Sequence, residues 1–186
     1  MSTITDPTTE RLIAALYKVD GKAEIVDGRI VPMSPTGFES GNAALAISIS
    51  LRAFIKRIGA PGVAIGDNVG FLTDLPNRKS FCPDAAYHTG PRTGMKFLSQ
   101  APDFAAEVRS ENDYGPGAER EMAKKRADYF AAGTKVVWDV DLQSDEVVRV
   151  YRADSPDSPT MYRRGQMAEA EPAVLGWTMP VDELFE

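Results

Sequence analysis

SFCPDAAYH, residues 80–88, and PDFAAEVRS, residues 102–110, are two apolar runs of strand length, each with a carboxylate in its interior. Burying a bare charge costs several kcal/mol or more, so Asp84 and Glu107 must be paired, protonated or holding a cation. Side chains alternate between the two faces of a strand. Cys82, Asp84 and Ala86 therefore share one face, and Phe81, Ala85 and Tyr87 the other. In the second run Ala105, Glu107 and Arg109 share a face opposite Phe104, Ala106 and Val108. If the strands are neighbours, Asp84 and Glu107 converge. Mg²⁺ takes about six oxygen ligands near ~2.1 Å and keeps several waters, so two carboxylates and a backbone carbonyl suffice. Such an ion acidifies a water and offsets charge building on a phosphate. Ion pairing of the same carboxylates, with Arg109 or with neighbouring charges, is the competing use, and the strands alone leave both open.

Working outward, Ala118 to Ala132 has helical character and is closed by Gly133, with strands at Val136 to Val140 and Val147 to Tyr151 around Gln143-Ser144-Asp145. One face of that helix carries Ala118, Met122, Lys125, Tyr129 and Ala132, placing a lysine in an otherwise inward stripe. A rival face of Ala123, Ala127, Phe130 and Ala131 would leave Lys125 in solvent, and periodicity does not choose. Upstream, AEIVDGRIVPM (residues 23–33) has Asp27-Gly28 between two short apolar runs, a strong hairpin signal. Glu24 lies on its first strand, where an exposed edge position is the default. A long helix over about residues 39–58, with Ala44, Ile47, Leu51, Phe54, Ile55 and Ile58 in its stripe, is closed by Gly59. A shorter helix runs through Leu12, Ile13, Leu16 and Tyr17, capped by Thr8 or Thr9. Val63 to Ile65, Val69 to Thr73, Phe81 to Tyr87 and Phe104 to Arg109 are expected strands. DSPDSPT (154–160) is expected as a surface loop, and Val181 to Phe185 as a last turn.

Composition narrows the classes. A chain of 186 residues with 43% hydrophobic and 26% charged residues fits one globular domain, with its core over about residues 12–185. The formal charge of −6 is the wrong sign for a protein that gains affinity by neutralising phosphates. Lys124-Lys125-Arg126, Arg163-Arg164 and Lys56-Arg57 are local basic clusters, read first as solvated faces. No apolar run reaches the length of a membrane span, and MSTITDPTTERL has no basic region followed by an apolar stretch. Cys82 is the only cysteine, which excludes an internal disulfide and a cysteine-based zinc cluster. The expected setting is cytoplasmic. His88, the only histidine, falls at a strand end and is expected to be exposed. There is no Gly-rich phosphate loop, since Gly59-Ala60-Pro61-Gly62 has the wrong pattern. Trp138 and Trp177 read as core or edge aromatics.

AEIVDGRIVPMSPTG, PDAAY, APDFAAEVRSEND, KRADYFAAGTKVVWDVD and LGWTMPVDELF occur in this order and cover nearly the whole chain. Together they resemble the Uma-type family of putative restriction endonucleases, within the PD-(D/E)XK nuclease superfamily. The resemblance implies a single-domain, restriction-endonuclease-like α/β fold, with a mixed central sheet flanked by helices. It implies Mg²⁺-dependent hydrolysis of DNA phosphodiester bonds (Mn²⁺ substituting), leaving a 5′-phosphate and a 3′-hydroxyl, with a homodimer expected for cutting both strands. Asp84, Glu107 and the backbone carbonyl of Val108 become the implied metal ligands, and Glu24 matches the family's hairpin glutamate near the same site. The superfamily lysine falls at Arg109, which a protonated guanidinium keeps from acting as a base and leaves as a phosphate contact. Relatives supply the lysine from the next helix, where Lys125 stands. Ser40 replaces a histidine common before the long helix, and Glu111 a proline. The alternative function is a catalytically inactive nuclease-fold binding or regulatory module.

Overall fold

Runs that alternate apolar residues on both faces need cover on both sides, and the architecture supplies it. The computed structural model describes residues 7–186; the first six residues of the segment compared with a secretory leader lie outside it. The first half of the chain forms α1 (Pro7–Leu16), β1 (Ala23–Val26), β2 (Arg29–Pro32), α2 (Phe38–Ile58), β3 (Val63–Ile65), β4 (Phe71–Leu72), β5 (Ser80–Phe81) and β6 (Ala85–His88). The second half forms β7 (Phe104–Val108), α3 (Pro116–Ala131), β8 (Val136–Val140), β9 (Val148–Arg152), β10 (Ser155–Tyr162), β11 (Met167–Glu169), β12 (Thr178–Pro180) and a 3₁₀ turn, Val181–Phe185. The fold is α/β, with a central six-stranded mixed sheet ordered β10-β9-β8-β7-β6-β3. β7 and β8 pair in parallel, from Phe104 opposite Val136 to Val108 opposite Val140, and α3 is the crossover between them. The other neighbours are antiparallel.

The two faces divide the labour. Ala43, Ala44, Ile47, Leu51 and Phe54 of α2 pack on Phe104, Ala106, Val108 and Trp138. Trp138 stacks on Trp177 at 4.9 Å, and the indole N–H of Trp138 donates to the Glu169 carbonyl at 2.9 Å. Each such aromatic buries roughly 150–250 Å², which at ~25 cal/mol per Å² is about 4–6 kcal/mol before the entropy of ordering. On the other face Tyr129 of α3 lies among Phe71, Phe81, Ala86, Ala105 and Val137. That face also carries Glu107, and it is where polar groups collect. Tyr129 is buried while Ala123, Ala127 and Ala131 are exposed, so the α3 stripe containing Lys125 is the inward one.

Several expectations change, beginning with Thr8 and Thr9, which lie inside α1 and so do not cap it. The run 81–87 is not one strand: Pro83 cannot donate to a ladder, so the chain breaks between β5 and β6. Asp84 sits at the break, its N–H donating to the Ala106 carbonyl at 3.1 Å. DSPDSPT is largely strand rather than loop. β10 pairs with β9 through a register shift between Ser155 and Thr160, and it tolerates Pro156 and Pro159 because it is the sheet's outer strand. His88 is buried, at 2% exposure, because Val63 of β3 pairs with it and the Phe71 ring meets it edge-on. The hairpin forms as expected, with Asp27 and Gly28 at φ 48° and 71°, the geometry of a type I′ turn. Among the described residues no helix is long and apolar enough to cross a membrane.

Candidate active site

β6 and β7 bring Asp84 and Glu107 to the same end of the sheet, and the hairpin and α3 close over them. The result is a cavity of about 990 Å³ whose walls include Lys22, Glu24, Asp84, Glu107, Val108 and Lys125. Asp84 Oδ2 accepts the Val108 backbone N–H at 2.8 Å, and Oδ1 lies 2.5 Å from the Lys22 ammonium. The N–H and carbonyl of a strand residue point to the same side, so the Val108 carbonyl lies on the Asp84 side of β7. Glu107 Oε1 accepts the Tyr129 hydroxyl at 2.6 Å, and Oε2 the Lys125 ammonium at 2.9 Å. Lys125 Nζ is also 2.9 Å from Glu24 Oε1, so it bridges two carboxylates from different elements.

Glu24 is not an edge-strand solvent residue. It is 3% exposed, accepts the Cys82 backbone N–H at 2.8 Å and pairs with Arg78, whose Nε reaches Asp128 of α3 at 2.8 Å. Burial alone would push its carboxyl up, but the Lys125 and Arg78 charges hold it below the usual range. Glu107 shifts the other way. Burial pushes its carboxyl up, and the Asp84 and Glu24 charges add to this against the pull of Lys125. Lys125, despite its burial, is held above the usual lysine range by Glu107 and Glu24, so it stays protonated at neutral pH.

Arg109 lines the same cavity, but its guanidinium is paired with carboxylates. Its side chain is 2% exposed, with Nε and Nη2 each 2.8 Å from an oxygen of Asp139, and it also binds Glu119. With its donors committed to two carboxylates, it joins the N-terminal turn of α3 to β8, and the expected phosphate contact is not available from it. Ser40, in the position noted as a departure, donates to the Arg109 carbonyl at 2.8 Å and ties the start of α2 to the end of β7. Sequence patterning did not single out Lys22, Arg78, Tyr129 or Asp128 for the site. Tyr129 had a signal, its place on the Lys125 stripe; the others are polar residues beside turns or on a mixed helix face, where no periodicity marks them.

No curated protein matches the chain. A solved structure described as a putative nuclease belonging to DUF820, from Anabaena variabilis ATCC 29413, superposes with a TM-score of 0.71 over 94% of this chain and 97% of that one, at 15% identity. At that identity the likeness is one of fold. A model of the Uma2 family, described as putative restriction endonuclease, matches residues 10–182. With nearly its whole length so matched, the chain belongs to the Uma2 family.

Proposed function

We propose that this chain is a metal-dependent endonuclease that hydrolyses phosphodiester bonds in DNA. The observation that carries the proposal is the meeting of Asp84, Glu107 and Lys125 in one cavity, with Lys125 Nζ 2.9 Å from Glu107 Oε2. Membership of a family described as putative restriction endonuclease supports it.

The donors suit a hard divalent ion such as Mg²⁺. Residues Asp84, Glu107 and Glu24 line one cavity, and burial, with the Asp84 and Glu24 charges adding to it, raises the Glu107 carboxyl. Asp84, Glu107 and the Val108 carbonyl would hold the ion. In the arrangement observed, no three His, Cys, Asp or Glu side chains among the described residues close on one point, because ammonium groups stand between them. When bound, the ion would lower the proton affinity of a water and offset phosphoryl charge. Lys125, protonated and fixed between Glu24 and Glu107, donates hydrogen bonds that orient the attacking water or a phosphoryl oxygen. Glu24 remains ionised and keeps Lys125 in place, and Arg78 anchors Glu24 to α3 through Asp128. Tyr129 holds the Glu107 carboxylate from the core side. Two copies of the chain would let both strands of a duplex be cut in one encounter.

The test is Mn²⁺- or Mg²⁺-supported cleavage of a mixed panel of plasmid and linear DNA. Asp84→Ala and Glu107→Ala should each lower the rate by at least a hundredfold. Equal cleavage by the parent and both variants would remove these carboxylates from the chemistry. The second reading, a nuclease fold kept for binding, draws on the burial of the cation at position 109. Ion binding lost in both variants, with no cleavage by the parent on any substrate, would favour it.

A further inference from the structure

Lys22 immediately precedes β1, and its carbonyl accepts the Met33 N–H at 2.9 Å, so the hairpin fixes its backbone. Its ammonium lies between two carboxylates of unlike setting, 2.5 Å from Asp84 Oδ1 and 2.7 Å from Asp67 Oδ1. The Asp84 side chain is 18% exposed and faces the cavity, whereas that of Asp67 is 48% exposed and lies at the rim. The other oxygen of Asp84 is taken by the Val108 N–H. Lys22 therefore stands on the oxygen that an ion shared with Glu107 would use.

We infer that Lys22 is a built-in competitor for the divalent ion, which must drive its ammonium off Asp84 and onto Asp67 in order to bind. The inference rests on the proposal that Asp84 and Glu107 hold an ion. An ammonium and a divalent cation on one carboxylate oxygen repel each other at short range, so both cannot occupy Oδ1 together. Lys125 is placed differently. Both of its acceptors, Glu24 and Glu107, lie inside the cavity, and neither is a carboxylate at the rim. Lys22 does have one, and that acceptor is set in advance: Asp67 Oδ1 also accepts the Asn68 N–H at 2.7 Å, in a turn where Asn68 has φ 64°. A lysine's flexible stem and three rotatable donors suit a group that keeps one contact while giving up another. Occupancy by the ion is then governed by the difference between two ammonium positions as well as by the strength of the ligands.

The test is calorimetric titration of Mn²⁺ into the full chain and its Lys22→Met, Lys22→Arg, Asp67→Asn and Asp84→Asn variants. Thermal denaturation without metal checks that each is folded. Lys22→Met should bind at least tenfold tighter than the parent, and its melting temperature should rise further on Mn²⁺ addition. Lys22→Arg, which keeps the charge, should bind no tighter than the parent, and Asp84→Asn should lose binding. Asp67→Asn should weaken binding several-fold, an effect absent when Lys22 is already Met; the Asp67→Asn arm stands even if Lys22→Met fails to fold. Binding by the parent that Lys22→Met leaves equal or weaker would overturn the competitor role and leave the ion site intact. No binding by any variant would remove the ion site itself, and this inference with it.

Discussion

Glu24 and Glu107 touch the same ammonium, yet their carboxyls are displaced in opposite directions, so single substitutions there should have effects of opposite sign. Glu24 lies below its ordinary value of 4.5. Its contribution to stability is therefore present above that value and is lost as pH falls through the lower, folded one. Glu107 lies above 4.5. Folded protein holds its proton longer than unfolded chain, so stability falls as pH rises from 4.5 toward the raised value, and the ionised group is a burden beyond it. In EDTA at pH 8, Glu24→Gln should cost about 3 kcal/mol, because Arg78 and Lys125 lose a buried partner. Glu107→Gln should be neutral or stabilising. Urea denaturation at pH 5 and pH 8 checks both, and a large loss on Glu107→Gln would make that carboxylate a structural ion-pair partner. Asp84 and Glu107 were legible in the sequence because a carboxylate inside an apolar run has to be explained. Lys22 was not, since it sits beside a turn and its cavity partner is 62 residues away. His88 was misjudged because the cover over it comes from β3 and Phe71, which its own neighbours in sequence do not announce.

At the level of elements, the join between β7, β8 and the start of α3 is electrostatic. Arg109 spans Asp139 on β8 and Glu119 on α3, and Asp139 is nearly fully buried. Arg126 and Arg149 approach Asp139 only to 3.9 Å, too far to replace a guanidinium that grips both its oxygens. Arg109→Met keeps the length and removes the charge, so it should destabilise the protein by about 3 kcal/mol. A guanidinium whose role was to touch phosphate would instead lose DNA affinity with its stability unchanged. Guanidinium chloride midpoints, set beside DNA titrations of the same variant, separate the two outcomes. The hairpin was legible because Asp27-Gly28 supplies the two left-handed residues that its turn demands. β10 was not, because Pro156 and Pro159 argue against a strand unless the strand lies at an edge, and edge position is set by the order of the whole sheet. The split of the run 81–87 into β5 and β6 was signalled by Pro83, but the apolar residues on either side outweighed it.

For the whole molecule, the open question is how a chain of net charge −6 meets a polyanion. The α/β class was legible from the β7-α3-β8 pattern, whereas strand order depended on long-range pairing that no local pattern carries. That order puts the cavity on the face of the sheet opposite α2, and it gathers Lys22, Arg29, Arg78, Arg109, Lys125 and Arg126 around the cavity. Four of these cations are spoken for: Lys125 is held by Glu24 and Glu107, Lys22 by Asp67 and Asp84, Arg78 by Glu24 and Asp128, and Arg109 by Asp139 and Glu119. Few charges are therefore free to displace counterions from DNA, and the overall field repels it. With about two or three phosphates neutralised, log K for a duplex should fall against log salt with a slope of only about −2 to −3. Binding in EDTA should be weak, and Mn²⁺ should tighten it by offsetting Asp84 and Glu107, a gain that Asp84→Asn abolishes. Fluorescence anisotropy of a labelled duplex between about 50 and 200 mM salt measures both quantities over the range where counterion release dominates. A slope of about −6 or steeper, indifferent to Mn²⁺ and to Asp84→Asn, would mean that DNA is met by a basic surface elsewhere on the molecule. The cavity would then not be where the strand is held.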